Sequence, residues 1–252
     1  MTIFTREPAP DISLAGDVGD VLPSPAGLRR GWLAAGLGAV VVAGLVALAF
    51  GPASLALHRV ALEVLDHIPG VGIDSGLSPL EANIVWEIRL PRVVLGLLVG
   101  GLLSIAGASY QGVFRNPLAD PYLLGVAAGA GLGATIALVS GLGDGAGVFD
   151  PIPLIAFAGG LVAVACTYVL AGAAGRRMGT ATLLLAGIAM ASFFTALQTY
   201  VQQRESETLR EVYSWILGSL TTAGWSEVLL LLPYAAATTA VLLWFAPVLD
   251  VM

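Results

Sequence analysis

The residues best suited to chemistry lie close together between the first two apolar runs of the chain. Four side chains in this segment are of types that bind metals: His58, Glu63, Asp66 and His67. Glu63 and His67 are four residues apart, which puts them on one face of a helix, and both are ligand types of zinc sites. The segment LALHRVALEVLDHI is also typical of an amphipathic helix at a membrane surface. We favour the amphipathic helix, and we predict no metal site and no cofactor.

Other catalytic patterns are missing from the sequence. The string GAGLG at 129–133 lacks the GxGxxG spacing and follows no predicted strand, and no GxxxxGK[ST] motif occurs. Cys166 is the single cysteine, which excludes a disulfide within the chain and a cysteine-based metal site. An intramembrane serine protease would need a histidine inside a span, but both histidines lie outside the apolar runs. We therefore predict that the chain is not an enzyme, has no catalytic residues and binds no nucleic acid.

The elements around these residues are apolar and long. Of the residues, 57% are hydrophobic and 11% charged, against about 25% charged in an average soluble domain. Runs of about 20 apolar residues have the length of a membrane-spanning helix. Six such runs occur, at 31–50, 91–113, 122–140, 152–174, 181–202 and 227–246.

These runs predict an all-α polytopic membrane protein with about six transmembrane helices. Residues 1–28 are polar and rich in proline, which predicts a disordered cytoplasmic tail, and residues 29–252 form the transmembrane domain. Arginines near the ends of the runs indicate the orientation. Arg29 and Arg30 place the N-terminus in the cytoplasm. Alternation then places Arg115, Arg176 and Arg177 inside, and the loops 51–89, 141–150 and 203–226 outside.

Small and polar residues recur at helical spacing inside the runs. The second run carries a polar face, formed by Gly100, Ser104, Gly107 and Gln111. The third run carries a glycine ridge, formed by Gly125, Gly129 and Gly133. The fifth run carries a polar stripe, formed by Ser192, Thr195, Thr199 and Gln202. Glycine ridges allow helices to approach closely, and we favour that interpretation for the third run. For the fifth-run stripe, helix packing and a solvated path for a polar solute both stay open. No charged residue lies well inside a run, which argues against proton coupling and indicates that energy comes from outside this chain.

Several stretches together resemble one known family. They are RLPR at 89–92, RNPLADP at 115–121, LLGV at 123–126, LLLAG at 183–187 and VYSWILGSLTTAGW at 212–225. Over about residues 31–252, in this order, the chain resembles the FecCD/BtuC-type membrane permease subunits of binding-protein-dependent ABC importers for iron–siderophore, haem and cobalamin. The RNPLADP turn is the specific part of this resemblance.

The resemblance implies the six-span N-terminal part of a ten-helix type II ABC importer permease fold, in the bacterial cytoplasmic (inner) membrane. It implies three protein partners: a cytoplasmic ATP-binding subunit, an extracytoplasmic substrate-binding protein, and a second permease subunit in a homo- or heterodimer. The transported substrate would be an iron–siderophore or a related metal chelate. No residue in the sequence identifies which chelate is carried.

The resemblance also implies roles for individual residues. Arg89 and Arg92 match external arginines that receive acidic residues of the binding protein, and a guanidinium suits a carboxylate. A cytoplasmic gate is implied at Asn116, Leu118, Thr180 and Ala181. The family often has arginine at the position of Thr182. The translocation pathway is predicted along Gln111, Ser192, Thr195, Thr199 and Gln202.

The end of the sequence also resembles part of the family. Residues 249–252 resemble the first residues of the family's coupling segment, so we expect the chain to be a fragment or a truncated product.

Two alternatives to an ABC importer permease stay open. One alternative is a secondary transporter of a small solute, which would work without an ATPase. The other is an inactive truncated membrane fragment.

Overall fold

The computed structural model describes residues 30–70, 72–142, 150–173 and 179–251. The predicted tail at 1–28 lies outside these residues. So do Arg29, Arg176 and Arg177, on which part of the predicted orientation depends.

Every regular element in the described ranges is helical, which confirms the all-α prediction. Nine α-helices lie within these ranges: α1 (Arg30–Ala49), α2 (Leu57–Asp66), α3 (Pro79–Asn83), α4 (Leu90–Phe114), α5 (Val126–Val139), α6 (Ile152–Ala173), α7 (Thr180–Arg204), α8 (Leu209–Leu217) and α9 (Trp225–Val251). A π-helical segment (Ile84–Arg89) joins α3 to α4, and 3-10 turns precede α5 (Pro121–Leu124) and α8 (Ser206–Thr208).

Five helices are long and apolar enough to cross a membrane, judged by length and composition. They are Arg30–Ala49, Pro79–Phe114, Ile152–Ala173, Thr180–Arg204 and Trp225–Pro247. The predicted third span, 122–140, is different. Its helix, α5, has 14 residues, a length of about 21 Å at 1.5 Å per residue, which is shorter than the hydrocarbon core. Gly125, with φ of 76°, adopts the left-handed conformation between the 3-10 turn and α5 and so interrupts the regular helix.

The segment that leads into α4 begins with a helix cap at Ser78 and ends with a proline at position 91. The Ser78 hydroxyl accepts a hydrogen bond from the Glu81 amide, and the Glu81 carboxylate accepts one from the Ser78 amide, which forms a capping box at α3. In the π-helical segment a carbonyl pairs with the amide five residues on. Pro91 has no amide hydrogen to give to the Trp86 carbonyl. The Trp225 indole of α9 donates to this carbonyl instead, at 3.1 Å.

The glycine ridge of α5 packs directly on α6. A Cβ added at Gly133 would lie 2.6 Å from the Ile155 carbonyl oxygen, and one at Gly129 would lie 2.5 Å from the Ala163 Cβ. Neither space admits a side chain, so the two helix backbones are in contact. This confirms the packing interpretation of the ridge.

The connections gather at two ends of the helix bundle. At one end, Leu183 and Leu184 of α7 pack against the cluster of Phe114, Ala119 and Leu124, which belongs to the turn between α4 and α5. At the other end, the Trp86–Trp225 hydrogen bond joins the segments 51–89 and 203–226. These groupings follow the predicted alternation of the loops. Which end faces the cytoplasm stays a prediction.

Candidate functional site

The first arginine of the RLPR motif is bound inside the protein. Arg89 is 7% exposed, and its guanidinium donates to the carbonyls of Leu48 at 2.7 Å, Ala49 at 2.8 Å and Ala53. The last carbonyls of a helix have no intrahelical donors, and a cation is favoured at a helix C-terminus. Arg89 therefore closes the C-terminal end of α1.

The second arginine, Arg92, lies one turn further along and is partly buried. Its Nε atom is buried and, among the described residues, has no hydrogen-bond partner. Both arginines line a cavity of about 590 Å³ between α1 and α4, which Leu220 also borders and whose other walls are mostly apolar. The structure thus brings the two predicted docking residues to one cavity but gives them different surroundings. Docking itself stays a prediction.

Two of the four candidate metal ligands, Glu63 and His67, contact Trp86, whereas His58 is exposed and Asp66 accepts a hydrogen bond from the Ile73 amide at 2.8 Å. The Glu63 carboxylate accepts hydrogen bonds from the Ser75 hydroxyl at 2.5 Å and the Trp86 indole at 3.0 Å. The His67 ring stacks on Trp86 with centroids 3.9 Å apart, and its Nδ1 is 3.7 Å from Glu63 Oε1. In the described part of the chain, no group of three His, Cys, Asp or Glu side chains could hold a metal ion. Glu63 joins α2 to the π-helical segment.

The RNPLADP turn is a compact structure at the end of α4. Arg115 adopts a left-handed conformation with φ of 48°, which ends the helix. The side chain of Asn116 accepts from the Leu118 amide at 3.0 Å, and that of Asp120 accepts from the Tyr122 amide at 2.8 Å. These local bonds leave Leu118 84% exposed at the tip of the turn.

The second predicted gate segment lies at the same end of the molecule. Thr180 and Ala181 are exposed at the start of α7, two residues before the leucines that pack on the α4–α5 turn. The structure therefore brings all four predicted gate residues, from two separate segments, to one end of the bundle.

The polar stripe of α7 divides into two parts. Ser192, Thr195 and Thr199 are exposed. The Ser192 hydroxyl donates to the Ile188 carbonyl at 3.0 Å and that of Thr199 to the Thr195 carbonyl at 2.9 Å, a bonding pattern that satisfies hydroxyls within a helix. Gln202 is different, because it is only 7% exposed.

Gln198 is a polar residue of α7 that the sequence analysis missed. It is 7% exposed and lies against α5, where a Cβ added at Gly131 would be 3.0 Å from its Oε1. Gln198 and Gln202 are four residues apart, so their spacing was the available signal. The hydroxyl stripe overlapped this signal on the same helix.

The polar face of α4 is open within this chain. Gln111 is exposed, and the Ser104 hydroxyl donates to the carbonyl of Gly100 at 2.8 Å. A Cβ added at Gly100 or Gly107 would meet no atom within 4 Å. This face has room for a solute, a lipid or another helix.

Comparison with known proteins identifies the family. A sequence profile of the FecCD transport family matches residues 39–252. The chain belongs to the FecCD transport family. This membership agrees with the RLPR and RNPLADP motifs, both of which lie inside the matched range.

Three curated relatives illustrate the similarity. The chain is 39% identical over 175 residues to an uncharacterized ABC transporter permease, YvrB, of Bacillus subtilis, covering 69% of this chain and 50% of the relative. It is 33% identical over 251 residues to the cobalamin import permease BtuC of Halobacterium salinarum, covering 88% and 67%. It is 40% identical over 168 residues to the vitamin B12 import permease BtuC of Escherichia coli, covering 66% and 49%. The chain thus spans about half the length of two of these relatives.

A solved structure shares the fold. An inward-facing conformation of an ABC transporter assigned to the metal-chelate type superposes with a TM-score of 0.67 at 24% identity. The match covers 88% of this chain and 64% of the other. The helices that the match covers are therefore arranged as in the matched chain of that transporter.

Proposed function

We propose that this FecCD-family chain is the permease subunit of an ABC importer that carries an iron–siderophore or a related metal chelate, such as haem or cobalamin, across the bacterial cytoplasmic membrane. The observation that carries the proposal is the family match over residues 39–252. Two relatives are named for cobalamin or vitamin B12 import, which favours cobalamin among these chelates.

The proposed importer has three further protein parts. A separate cytoplasmic ATP-binding subunit supplies the energy, since no nucleotide-binding motif occurs in this sequence. A substrate-binding protein delivers the chelate from outside, and a second permease subunit completes the pathway. No charged residue lies between Arg92 and Arg115 along α4. The absence of an ionisable group in this helix argues against proton coupling and supports a separate subunit as the source of energy. The permease itself acts as a transport subunit and not as an enzyme.

The proposed path lies along the polar faces of α4 and α7. Gln111 and the exposed hydroxyls of Ser192, Thr195 and Thr199 border it, and Gln202 lies at its edge. A large chelate needs a wide cavity with weak contacts, because tight binding would prevent release. The open space beside Gly100 and Gly107 supports such a cavity.

The proposed path closes at one end and receives the binding protein at the other. The gate consists of Asn116, Leu118, Thr180 and Ala181 at the cytoplasmic end. The docking surface is at Arg89 and Arg92, and the N-terminus is cytoplasmic. The grouping of the gate residues at the end opposite the arginines supports a gate and a docking surface on different sides of the membrane.

Uptake into proteoliposomes tests the function. Vesicles should contain the permease together with the ATP-binding subunit and binding protein of the same organism. We expect ATP-dependent accumulation of labelled cobalamin, with haem and a ferric siderophore as parallel substrates and ATP-free vesicles as the control. Uptake that persists without the ATP-binding subunit would instead support the secondary transporter. Uptake of none of the three chelates would contradict the proposal.

A further inference from the structure

We infer that Thr167 of α6 and Gly187 of α7 are positioning residues of the gate. They fasten the RNPLADP turn to α6 and α7, so that the two gate segments of this chain move as one unit. The role in the gate rests on the proposed function. The attachment itself follows from contacts within this chain and is tested without any partner.

Thr167 supplies a donor to a carbonyl at the break before α5. The first backbone hydrogen bond of α5 runs from the Gly129 amide to the Gly125 carbonyl, at 2.9 Å, so the Leu124 carbonyl lies before the helical ladder. The Thr167 hydroxyl donates to the Leu124 carbonyl at 3.1 Å, from 43 residues further along the chain. Thr167 is completely buried. A carbonyl at membrane depth is costly when it has no donor, so this bond stabilises the turn against α6.

The hydrogen bond of Thr167 differs from those of other hydroxyls in the long helices. Ser104, Thr135 and Thr199 each donate to a carbonyl of their own helix, four residues earlier. Such bonds satisfy the hydroxyl locally and attach no second segment. Thr135 is as completely buried as Thr167, and its acceptor is Gly131 of the same helix. It therefore provides a matched comparison for Thr167.

Gly187 lets the backbone of the turn lie directly on α7. A Cβ added at Gly187 would overlap the Leu123 carbonyl oxygen and would lie 3.1 Å from the Leu124 Cα. From the opposite side, a Cβ added at Gly125 would lie 3.3 Å from the Ala191 amide nitrogen. Backbone therefore meets backbone over about one turn of α7, and no side chain separates the two segments.

These contacts connect the two predicted gate segments. The 3-10 turn begins at Pro121, the last residue of RNPLADP and three residues after the exposed tip at Leu118. On the other side, Thr180 and Ala181 lie about two turns before Gly187 along the same helix. A displacement of the tip relative to α7 must therefore break the Thr167 bond or the backbone contact at Gly187.

The accessibility of Ala119 measures the attachment. Ala119 is 4% exposed and belongs to the cluster on which α7 packs, so Ala119→Cys should react slowly with a thiol reagent. Cys166→Ala removes the single native cysteine without adding a hydroxyl beside Thr167. In this protein, in detergent or nanodiscs, Thr167→Val should raise the labelling rate roughly tenfold, which corresponds to about 1.4 kcal/mol of local opening. Gly187→Ala should also raise it, because its Cβ displaces the turn.

Three controls separate the attachment from a general loss of stability. Thr135→Val removes an equally buried hydroxyl that bonds within α5 and should leave the labelling rate unchanged. Gly38→Ala is the control for Gly187→Ala, since a Cβ at position 38 meets no atom within 4 Å. Thr167→Ser keeps the donor and should restore most of the protection. Unchanged labelling in both Thr167→Val and Gly187→Ala would overturn the inference. If Gly187→Ala does not accumulate, Thr167→Val and Thr167→Ser decide the question.

Retention of the substrate tests the role in the gate. Proteoliposomes with the wild-type assembled transporter should retain accumulated labelled cobalamin after ATP is removed. Thr167→Val should release it several-fold faster, because the two gate segments no longer close together, whereas Thr135→Val should release it at the wild-type rate. Loss of folded protein alone would lower uptake without speeding release. Fast labelling combined with wild-type retention in Thr167→Val would show an attachment that does not serve the gate, and would overturn the inference.

Failure of the proposed function has a different signature. If the wild-type assembly accumulates none of the three chelates, the importer proposal is contradicted and the gate role falls with it. The labelling rates of Ala119→Cys in the purified chain still decide whether Thr167 and Gly187 hold the turn.

Discussion

At the residue scale, buried polar side chains act as connections between segments that are distant in sequence. Arg89 donates hydrogen bonds to the last carbonyls of α1. The Glu63 carboxylate accepts hydrogen bonds from the Ser75 hydroxyl and the Trp86 indole. Polar groups inside a protein are costly when unpaired, so each such connection stabilises one arrangement of the chain. The residues that looked most like chemistry in the sequence are thus mainly structural.

We predict that Glu63→Ala destabilises the protein by about 1–3 kcal/mol, because two donors lose their buried acceptor. For a chain of this size, the melting temperature in detergent should fall by about 2–4 °C per kcal/mol. Glu87→Ala is the matched control, since it removes an exposed carboxylate one residue from Trp86. Equal melting temperatures for both variants would contradict the role of Glu63.

At the element scale, glycines decide how closely helices pack. The backbones of α5 and α6 meet at Gly129 and Gly133, whereas Gly36 on α1 faces open space. Glycine therefore has two different structural surroundings in this chain. On α5 it permits contact with the neighbouring helix, whereas at position 36 of α1 a Cβ would meet no atom of the described structure within 4 Å.

We predict that Gly129→Ala costs about 1–3 kcal/mol, the usual range for overpacking, because its Cβ would collide with Ala163. Gly36→Ala should be neutral or slightly stabilising, since alanine favours helix and nothing obstructs it. Thermal unfolding of the two variants in the same detergent makes the comparison. A Gly129→Ala protein as stable as the wild type would contradict the close packing of α5 on α6.

The division of the α7 stripe gives a second prediction at this scale. Single cysteines at Thr195 and Thr199, in an assembled transporter whose Cys166 is replaced by serine, should react with a membrane-impermeant thiol reagent added from outside. Leu197→Cys, on another face, should react far more slowly, and Gln198→Cys should be protected by α5. Equal protection at all four positions would mean that the exposed hydroxyls serve helix packing and not the pathway.

At the scale of the whole molecule, the two ends of the bundle are built from different elements. One end gathers the RNPLADP turn and the start of α7. The other gathers α2, the π-helical segment and the start of α9. Under the proposed function, the first end would carry the gate and the second the docking surface.

The orientation of these ends is open to a direct test. Leu118→Cys should be labelled by an impermeant reagent only after permeabilisation of the cells, whereas Glu205→Cys should be labelled in intact cells. Both side chains are exposed, so accessibility to the reagent reports the membrane side. Labelling of Leu118→Cys in intact cells would reverse the proposed topology.

The energy source provides the last prediction at this scale. The purified chain should hydrolyse no ATP, because it has no phosphate-binding motif. ATP hydrolysis should appear when the ATP-binding subunit is added. The control is an ATP-binding subunit in which the catalytic residue has been substituted. ATP hydrolysis by the permease alone, after the contaminants are excluded, would contradict the proposed division of labour.

The sequence by itself determined the class of this protein, its helical composition and its family resemblance. Hydrophobicity is a sum over neighbouring residues, so the apolar runs could be located without any knowledge of their packing. The RLPR and RNPLADP motifs are contiguous and were visible for the same reason. Helical periodicity also predicted the contact surface of the α5 glycines, because residues four apart share a face whatever lies opposite.

Only the tertiary structure decided how these elements are connected. The acceptors of Arg89 are backbone carbonyls 36 to 41 residues earlier in the chain, and every residue has a carbonyl, so no side-chain pattern marks them. Periodicity grouped Gln202 with the hydroxyls of α7, but it could not show which neighbour covers each part of the face, and Gln198 was missed. The short length of α5 depends on the positive φ of Gly125, a conformation that glycine allows but does not require. These features arise from contacts between distant segments, which local sequence does not record.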